Sequence, residues 1–211
     1  MTILYADIMT FVWILLGIIV AYALFYKFVF LRDLSNDIPE GNNLVAPASG
    51  KVISIQTITP ETSIEIRKGF CGMIESELLR NEPYYLINIF MNPIDEHYTK
   101  MPCAGVVKKI TRVPGKFRAV NTLAAAIQNE KQEFLLETKI GLVSVIQIAG
   151  LLARRTRSFV EVEAELQKGE KLGVILLGSQ TALLFPKKDF KLQVELGQKV
   201  RAGETIISEL S

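Results

Sequence analysis

The residues with the clearest chemical potential are Gly178 and Ser179, which separate two apolar runs near the end of the chain. A buried strand does not normally carry four small or polar residues such as Gly178 to Thr181, so a turn or a bulge is one interpretation. The other interpretation is chemical, because a serine hydroxyl can attack the carbonyl of a preceding glycine that has no Cβ to hinder it. The resulting ester can eliminate and hydrolyse, which would leave a pyruvoyl group in place of Ser179.

A second set of reactive side chains follows a predicted strand that ends at Pro93. Asp95 and His97 are two residues apart, so they would lie on the same face if this segment is extended. His97 is the only histidine in the chain, and its ordinary pKa near neutrality makes it the natural proton donor or acceptor. A buried histidine with a purely structural role is the alternative.

Composition narrows the classes of function. The chain has 24 basic and 22 acidic residues, a balance that does not predict a nucleic-acid partner. Its two cysteines, Cys71 and Cys103, have neither CxxC spacing nor histidine neighbours, so we expect no metal site. Both thiols are interpreted as reduced and structural, as in a cytosolic domain.

The elements that must position these residues begin with an apolar segment. Ile8 to Tyr26 runs for 19 residues without a charge, which predicts a transmembrane helix reaching about residue 30. A cleaved signal peptide is the alternative, but such peptides begin with basic residues and end in small ones. Lys27 and Arg32 follow the segment and no Lys or Arg precedes it, so the positive-inside rule places the rest of the chain in the cytoplasm. We expect a membrane anchor at 1–34, a linker at 35–43 and a folded domain at 44–211.

The predicted domain is mainly β. Short runs rich in Val, Ile, Phe and Tyr, separated by Gly, Pro and charged turns, predict strands at Lys51–Ile58, Tyr85–Met91, Val106–Val113, Glu133–Thr138, Leu142–Ile148 and Ser158–Val162. Only Phe70–Arg80 and Ile148–Arg157 favour short helices. We therefore expect a β-rich α+β fold, a barrel or sandwich with short helices and one N-terminal transmembrane helix.

A weak internal repeat supports this prediction. Glu165–Gly173 and Glu195–Glu204 share a Glu-Leu start and a turn containing Gly-Glu, typical of biotinyl/lipoyl-like hairpins. Ala46–Val52 and Pro102–Val107 form a second pair, each with a proline, a small residue and a glycine before β-branched residues. Structural hairpins explain both pairs without any function.

Seven motifs, taken together, give the chain a family resemblance. In order they are APASG (46–50), FMNPIDEHYTKMP (90–102), PGKF (114–117), NEKQ (129–132), QIAGLLARR (147–155), KGEKLG (168–173) and LGSQ (177–180). With them, the chain resembles the short bacterial and archaeal form of the phosphatidylserine decarboxylases over about Val45 to Ser208. The resemblance implies self-cleavage into a large chain ending at Gly178 and a small chain beginning at Ser179, whose pyruvoyl group serves as cofactor and electron sink.

The resemblance also assigns roles to other residues. His97 would protonate the substrate carbon or position the carboxylate, and Asp95 would orient the imidazole. Arg154, Arg155 and Arg157 are candidate contacts for the lipid phosphate, with a solvated basic turn as the alternative. The implied substrate is phosphatidylserine, or another serine-bearing lipid such as archaetidylserine, and the product is the ethanolamine lipid. We also expect a homo-oligomer.

Two departures from the family pattern leave an alternative open. Ser49 stands where the family usually has an Asp that is thought to help self-cleavage, and Lys100 stands where Arg or a second His is usual. The alternative is a pseudoenzyme that does not cleave itself, or a membrane-anchored lipid-binding module, with the same fold.

Overall fold

The chain begins with a helix that stands apart from the rest of the fold. The structure, a computed structural model, describes residues 2–30, 32, 37–59, 82–115, 129–150, 156–175, 179–188 and 190–210. Helix α1 (Thr2–Phe25) continues as a π-helical segment (Tyr26–Phe30). Its side chains from Ile8 to Leu24 are exposed although most are apolar. Ile8–Phe28 is long and apolar enough to cross a membrane, as the sequence predicted.

Every other regular element in the described ranges is a β-strand, which confirms the mainly β fold. The strands are β1 (Asn43–Val45), β2 (Gly50–Ile58), β3 (Tyr84–Met91), β4 (Tyr98–Lys100), β5 (Gly105–Val113), β6 (Lys131–Thr138), β7 (Gly141–Ala149), β8 (Thr156–Ser158), β9 (Glu165–Leu166), β10 (Lys171–Ile175), β11 (Ser179–Pro186), β12 (Phe190–Leu192), β13 (Lys199–Val200) and β14 (Ile206–Leu210). The longer predicted strands therefore correspond to β2, β3, β5, β6 and β7.

The strands form one large and two small antiparallel sheets. The large sheet has the order β13-β2-β3-β11-β7-β6-β5-β9, and the small sheets have the orders β4-β10-β8 and β1-β14-β12. Side chains alternate along β11, so Leu183 and Phe185 join one buried cluster and Leu184 joins another on the opposite face. The first cluster also contains Leu172 of β10 and Ile207 of β14. Both small sheets therefore pack on one face of the large sheet, as in a sandwich.

Two local predictions fail and one lies outside the described residues. The predicted helix Ile148–Arg157 is wrong at both described ends, because β7 continues through Ala149 and β8 begins at Thr156. The predicted strand Ser158–Val162 is wrong beyond Ser158, where β8 ends. The predicted helix Phe70–Arg80 lies outside the described residues. Backbone pairing across the sheets overrides the weak helical spacing of residues 148–157.

The internal repeat is present as two copies of one backbone arrangement. We call residues 46–52 with 197–205 the Ser49 copy, and residues 101–107 with 163–170 the Ala104 copy. In the Ser49 copy the amide of Gly203 donates to the carbonyl of Ala46, and in the Ala104 copy Gly169 donates to Met101 in the same way, at 2.8 and 2.9 Å. Both glycines have positive φ, 77° and 85°, a conformation that side chains with a Cβ rarely adopt.

The strand pairing of the two copies is also equivalent. Lys199 and Val200 of β13 pair with β2 in the Ser49 copy, and Glu165 and Leu166 of β9 pair with β5 in the Ala104 copy. The Gly-Glu turns thus coincide as the sequence predicted. The shared Glu-Leu starts do not coincide. The position of Glu165 in the Ala104 copy is held in the Ser49 copy by Lys199 and not by Glu195.

The segment between the helix and β1 contacts the Ala104 copy and the turn that follows β3. Lys168 Nζ donates to the carbonyl of Gly41 and to Oδ1 of Asn43 at 3.0 and 2.8 Å. Arg32 Nη2 donates to the carbonyl of Ile94 at 2.7 Å, in the turn that follows β3. Arg32, just after the long apolar helix, is therefore joined directly to the turn that carries Asp95 and leads to His97.

Candidate active site

Ser179 is the first residue of the central strand of the large sheet. Its backbone lies in register with Met91 at the end of β3 and with Ala149 at the end of β7. The register of β11 runs without a shift along both neighbours, so from Ser179 onward the predicted turn or bulge is absent. Ser179 is described by its backbone alone, and Gly178 lies outside the described residues. The serine that the sequence analysis singled out therefore stands at one end of the sheet.

His97 is completely buried in the segment between β3 and β4. Its Nδ1 lies 2.7 Å from the carbonyl oxygen of Asp95. Because a carbonyl oxygen can only accept, Nδ1 carries the proton and Nε2 is the basic nitrogen of the neutral ring. Burial lowers the pKa of His97 to about 4, although the carbonyl and the charge of Asp95 oppose this shift. The imidazole is therefore a neutral base near pH 7.

Asp95 supports His97 differently from the sequence prediction. The segment is not extended, because the amide of Asp95 donates to the carbonyl of Asn92 at 2.9 Å and closes a turn. Oδ2 of Asp95 accepts from the amide of Asn92 at 2.8 Å. The expectation of a shared extended face is wrong, and Asp95 contacts the imidazole through its backbone carbonyl while its carboxylate stabilises the turn.

Hydrogen bonds connect the His97 segment to the strand that leads toward Ser179. The amide of Ile175, at the end of β10, donates to the carbonyl of His97 at 3.2 Å. Nε2 of Gln147 in β7 donates to Oγ1 of Thr99 in β4 at 2.9 Å, and both side chains are fully buried. The small sheet β4-β10-β8 is thereby fixed to the large sheet beside β11. His97 and Ser179 thus belong to segments held at the same end of the fold.

A buried carboxylate that the sequence reasoning did not single out lies next to His97. Glu96 Oε1 forms an ion pair with Lys100 Nζ at 2.9 Å, with side chains 0% and 6% exposed. Ser49 Oγ donates a long hydrogen bond of 3.4 Å to Glu96 Oε2, and accepts from the amide of Ala202 at 3.0 Å. Ser49 and Lys100, the two departures that support the pseudoenzyme alternative, therefore contact the same carboxylate. In the sequence, Glu96 could have been singled out because it is an acidic residue next to the only histidine.

The predicted basic cluster is described in part. Arg157 is exposed on β8, and its backbone pairs with Val174 of β10. Arg154 and Arg155 lie outside the described residues. Among the described residues no group of three or more His, Cys, Asp or Glu side chains could hold a metal ion.

Known proteins are similar to this chain over most of its length. The family model described as "Phosphatidylserine decarboxylase" matches residues 24–208. The chain is 36% identical over 183 residues to the phosphatidylserine decarboxylase proenzyme of Zymomonas mobilis, covering 86% of this chain and 70% of that protein. It is 34% identical over 206 residues to the proenzyme of Desulfotalea psychrophila, covering 97% of this chain and 85% of that one. A third proenzyme, from Syntrophus aciditrophicus, is 36% identical over 178 residues, 83% of this chain and 76% of that one.

Proposed function

The chain belongs to the phosphatidylserine decarboxylase family, and we propose that it converts phosphatidylserine, or a related serine-bearing lipid such as archaetidylserine, to the ethanolamine lipid. The observation that carries the proposal is the position of Ser179 at the start of the central strand, beside segments hydrogen-bonded to the His97 turn. The matched relatives are named as proenzymes, which agrees with a precursor that must be processed.

The proposed processing breaks the Gly178–Ser179 bond. The Ser179 hydroxyl attacks the Gly178 carbonyl, and the acyl group moves from nitrogen to oxygen to form an ester. Elimination releases the Gly178 carboxylate and leaves dehydroalanine, whose hydrolysis gives pyruvoyl and ammonia. At position 49, where the family pattern has an Asp, Ser49 contacts the carboxylate of Glu96, which is paired with Lys100.

In the mature protein, the pyruvoyl group would supply the electron sink for loss of carbon dioxide. His97 would act through Nε2, either by protonating the carbon that has lost the carboxylate or by helping to position the carboxylate. Asp95 keeps the imidazole in the required tautomer through its carbonyl. Apolar surroundings favour a step in which the substrate loses its negative carboxylate.

The proposed location is the membrane, with a single span and the catalytic domain in the cytoplasm. The apolar stretch Ile8–Phe28 supports the span, and Lys27 and Arg32 at its end support the orientation. The proposed organisation is an anchor at 1–34, a linker at 35–43 and a catalytic domain at 44–211. Such an anchor would hold the site at the surface where its lipid substrate lies, and Arg157 remains a candidate contact for anionic lipid.

Intact-mass measurement of the wild type beside Ser179→Ala tests the processing step. We expect the wild type to contain a small chain from Ser179 to Ser211 whose N-terminus is blocked by pyruvoyl, and Ser179→Ala to remain whole. A small chain with a free amine would indicate ordinary proteolysis. The wild type and the double variant Ser49→Asp with Lys100→His could both stay whole. That result would support the pseudoenzyme and overturn the proposal.

His97→Ala separates the proton-transfer role from processing. Decarboxylation by protein that has been processed should fall by about 100-fold or more, the usual loss for a general acid or base. The matched control is Gln193→Ala, an exposed residue of the same fold whose side chain bonds only to Glu209 among the described residues. Processed His97→Ala with near-normal turnover would remove His97 from the mechanism.

A further inference from the structure

Glu130, the residue just before β6, bonds to two segments that belong to different sheets. Its backbone carbonyl accepts from the amide of Ala149, the last residue of β7, at 2.9 Å. Its side-chain Oε1 accepts from the amide of Thr156, the first residue of β8, at 3.2 Å. Glu130 therefore joins the large sheet to the small sheet β4-β10-β8.

Each of these two partners leads to a residue of the candidate active site. Ala149 lies in register with Ser179 on the adjacent strand β11. Thr156 lies in register with Ile175 of β10, whose amide donates to the carbonyl of His97 at 3.2 Å. Strand pairing and hydrogen bonds therefore connect the backbone of Ser179 with that of His97.

The Glu130 carboxylate is buried and has several donors. Glu130 is 7% exposed, and Arg112 Nη2 of β5 pairs with its Oε1 at 2.8 Å. Thr156 Oγ1 also lies 3.2 Å from this oxygen, and it lies equally far from Oε1 of Gln132. A buried carboxylate is costly unless it is paired and hydrogen-bonded, so these contacts stabilise the carboxylate and restrict its position.

The connection also gives a role to a motif that the proposed chemistry does not use. Glu130 belongs to NEKQ, and Ala149 belongs to QIAGLLARR. His97 belongs to FMNPIDEHYTKMP, and Ser179 belongs to LGSQ. Four motifs that are far apart in the chain are therefore connected through one buried carboxylate and its backbone.

Proton transfer depends on the distance between the imidazole and the reacting carbon. In the proposed reaction, His97 acts on a substrate attached at position 179. A misplacement of about 1 Å can lower a rate by about 100-fold, even when its cause lies away from the reacting atoms. We propose that Glu130 is a positioning residue, which sets the distance between position 179 and His97 through its bonds to Ala149 and Thr156. This assignment rests on the proposed function.

The only histidine of the chain provides a signal that requires no turnover. Uncut, full-length Ser179→Ala in detergent micelles would be labelled with carbon-13 at its histidine, and the imidazole resonances of His97 would be followed by NMR. Glu130→Leu removes the acceptor of the buried Thr156 amide, so we expect these resonances to move or broaden. Glu130→Gln keeps a side-chain oxygen for this bond and should leave them close to those of the parent.

Glu137→Leu is the matched control, because Glu137 lies near the other end of β6. Its side chain is 59% exposed and pairs with Lys108 of β5 at 3.1 Å, so this ion pair stays within the large sheet. We expect no change in the resonances of His97. If Glu130→Leu does not fold, Glu130→Asp replaces it, because the shorter side chain withdraws the carboxylate from Thr156 by about 1.5 Å and keeps its charge. The resonances should then move as well.

Kinetics of the processed enzyme provide a second readout. In Glu130→Leu, kcat for decarboxylation of the serine lipid should fall by about 100-fold. KM should change by less than about 3-fold, because the change affects the chemical step more than substrate binding. Glu130→Gln should restore most of kcat, and Glu137→Leu should match the wild type.

Three results would overturn the assignment. They are unchanged His97 resonances in both Glu130→Leu and Glu130→Asp, equal changes in Glu130→Leu and Glu137→Leu, and a normal kcat in processed Glu130→Leu. Resonances that move as expected, in a protein that never decarboxylates the lipid, would refute the proposed function and leave the positioning of His97 by Glu130 standing.

Discussion

The Ser49 copy and the Ala104 copy have the same backbone arrangement and different side-chain chemistry. In each copy a glycine amide donates to the residue before a proline, and a short strand pairs with a long one. The position of Ser49 in one copy is held by Ala104 in the other. Ser49 is buried and hydrogen-bonded to Glu96 and Ala202, whereas Ala104 is exposed.

This difference shows that one backbone arrangement carries different side chains and contacts in the two copies. The buried ion pair of Glu96 and Lys100 and the facing lysines Lys51 and Lys199 all lie with the Ser49 copy. Function therefore follows from particular side chains placed on the fold, not from the hairpin arrangement itself. Substitutions in the two copies, and at residues that contact them, can test this conclusion.

The largest effect should come from Glu96→Gln. This change removes the charge that balances the buried Lys100 ammonium, so the free energy of unfolding should fall by about 3 to 5 kcal/mol. Glu170→Gln in the Ala104 copy should cost less than about 1 kcal/mol, because Glu170 is exposed and accepts one hydrogen bond from Gln167. Both are measured by denaturation of full-length Ser179→Ala in micelles. Equal losses would contradict the proposed difference between the copies.

A second test uses pH, because His97 packs beside the Ser49 copy. Its pKa of about 4 in the folded state is below the usual 6.5, so only the unfolded chain takes up a proton between these values. Proton uptake by the unfolded chain lowers the stability of the folded state. The contribution of His97 to stability is therefore fully present above pH 6.5 and is lost as pH falls toward 4, by about 3 kcal/mol in total. Burial raises the pKa of Glu133 on β6 to about 7, so its contribution has the opposite sign and increases as pH falls from 7 to 4.5.

The two groups should therefore nearly cancel in the wild-type sequence between pH 6.5 and 4.5. Relative to the uncut parent, Glu133→Gln should lose stability on acidification, and His97→Gln should gain it. Thermal unfolding followed by circular dichroism at pH 6.5 and 5 measures both slopes. Parallel slopes in the two variants would show that these side chains do not carry the pH dependence.

The smallest of these effects concerns the residue that distinguishes the copies. Ser49→Ala removes the acceptor of the buried Ala202 amide and one donor to Glu96, at a cost of about 2 kcal/mol. The reciprocal change, Ala104→Ser, adds a hydroxyl at an exposed position and should change stability by less than about 0.5 kcal/mol. Denaturation midpoints of the two variants provide the comparison, and a costly Ala104→Ser would show that the copies are more alike than their contacts indicate.

Sequence patterns predicted the parts of the fold that depend on local order. The five longer strands follow from runs of β-branched and aromatic residues, and the N-terminal helix follows from the length of its apolar stretch. Short strands such as β4 and β13 were not predicted, because two or three residues carry too little periodicity. Residues 148–157 favoured a helix by spacing, but hydrogen bonds to β11 and β10 place both described ends in strands.

The sequence by itself determined the candidate chemistry: Ser179 after a glycine, a single histidine, and an ordered set of family motifs. Only the tertiary structure decided how these residues are supported. Asp95 contacts His97 through its carbonyl because the segment turns, and Glu96 meets both Ser49 and Lys100 because β2 and the turn after β3 lie side by side. Ser49 and Glu96 are 47 residues apart in the chain, so their contact depends on the tertiary fold. The energies of such contacts depend on burial, which no local pattern specifies.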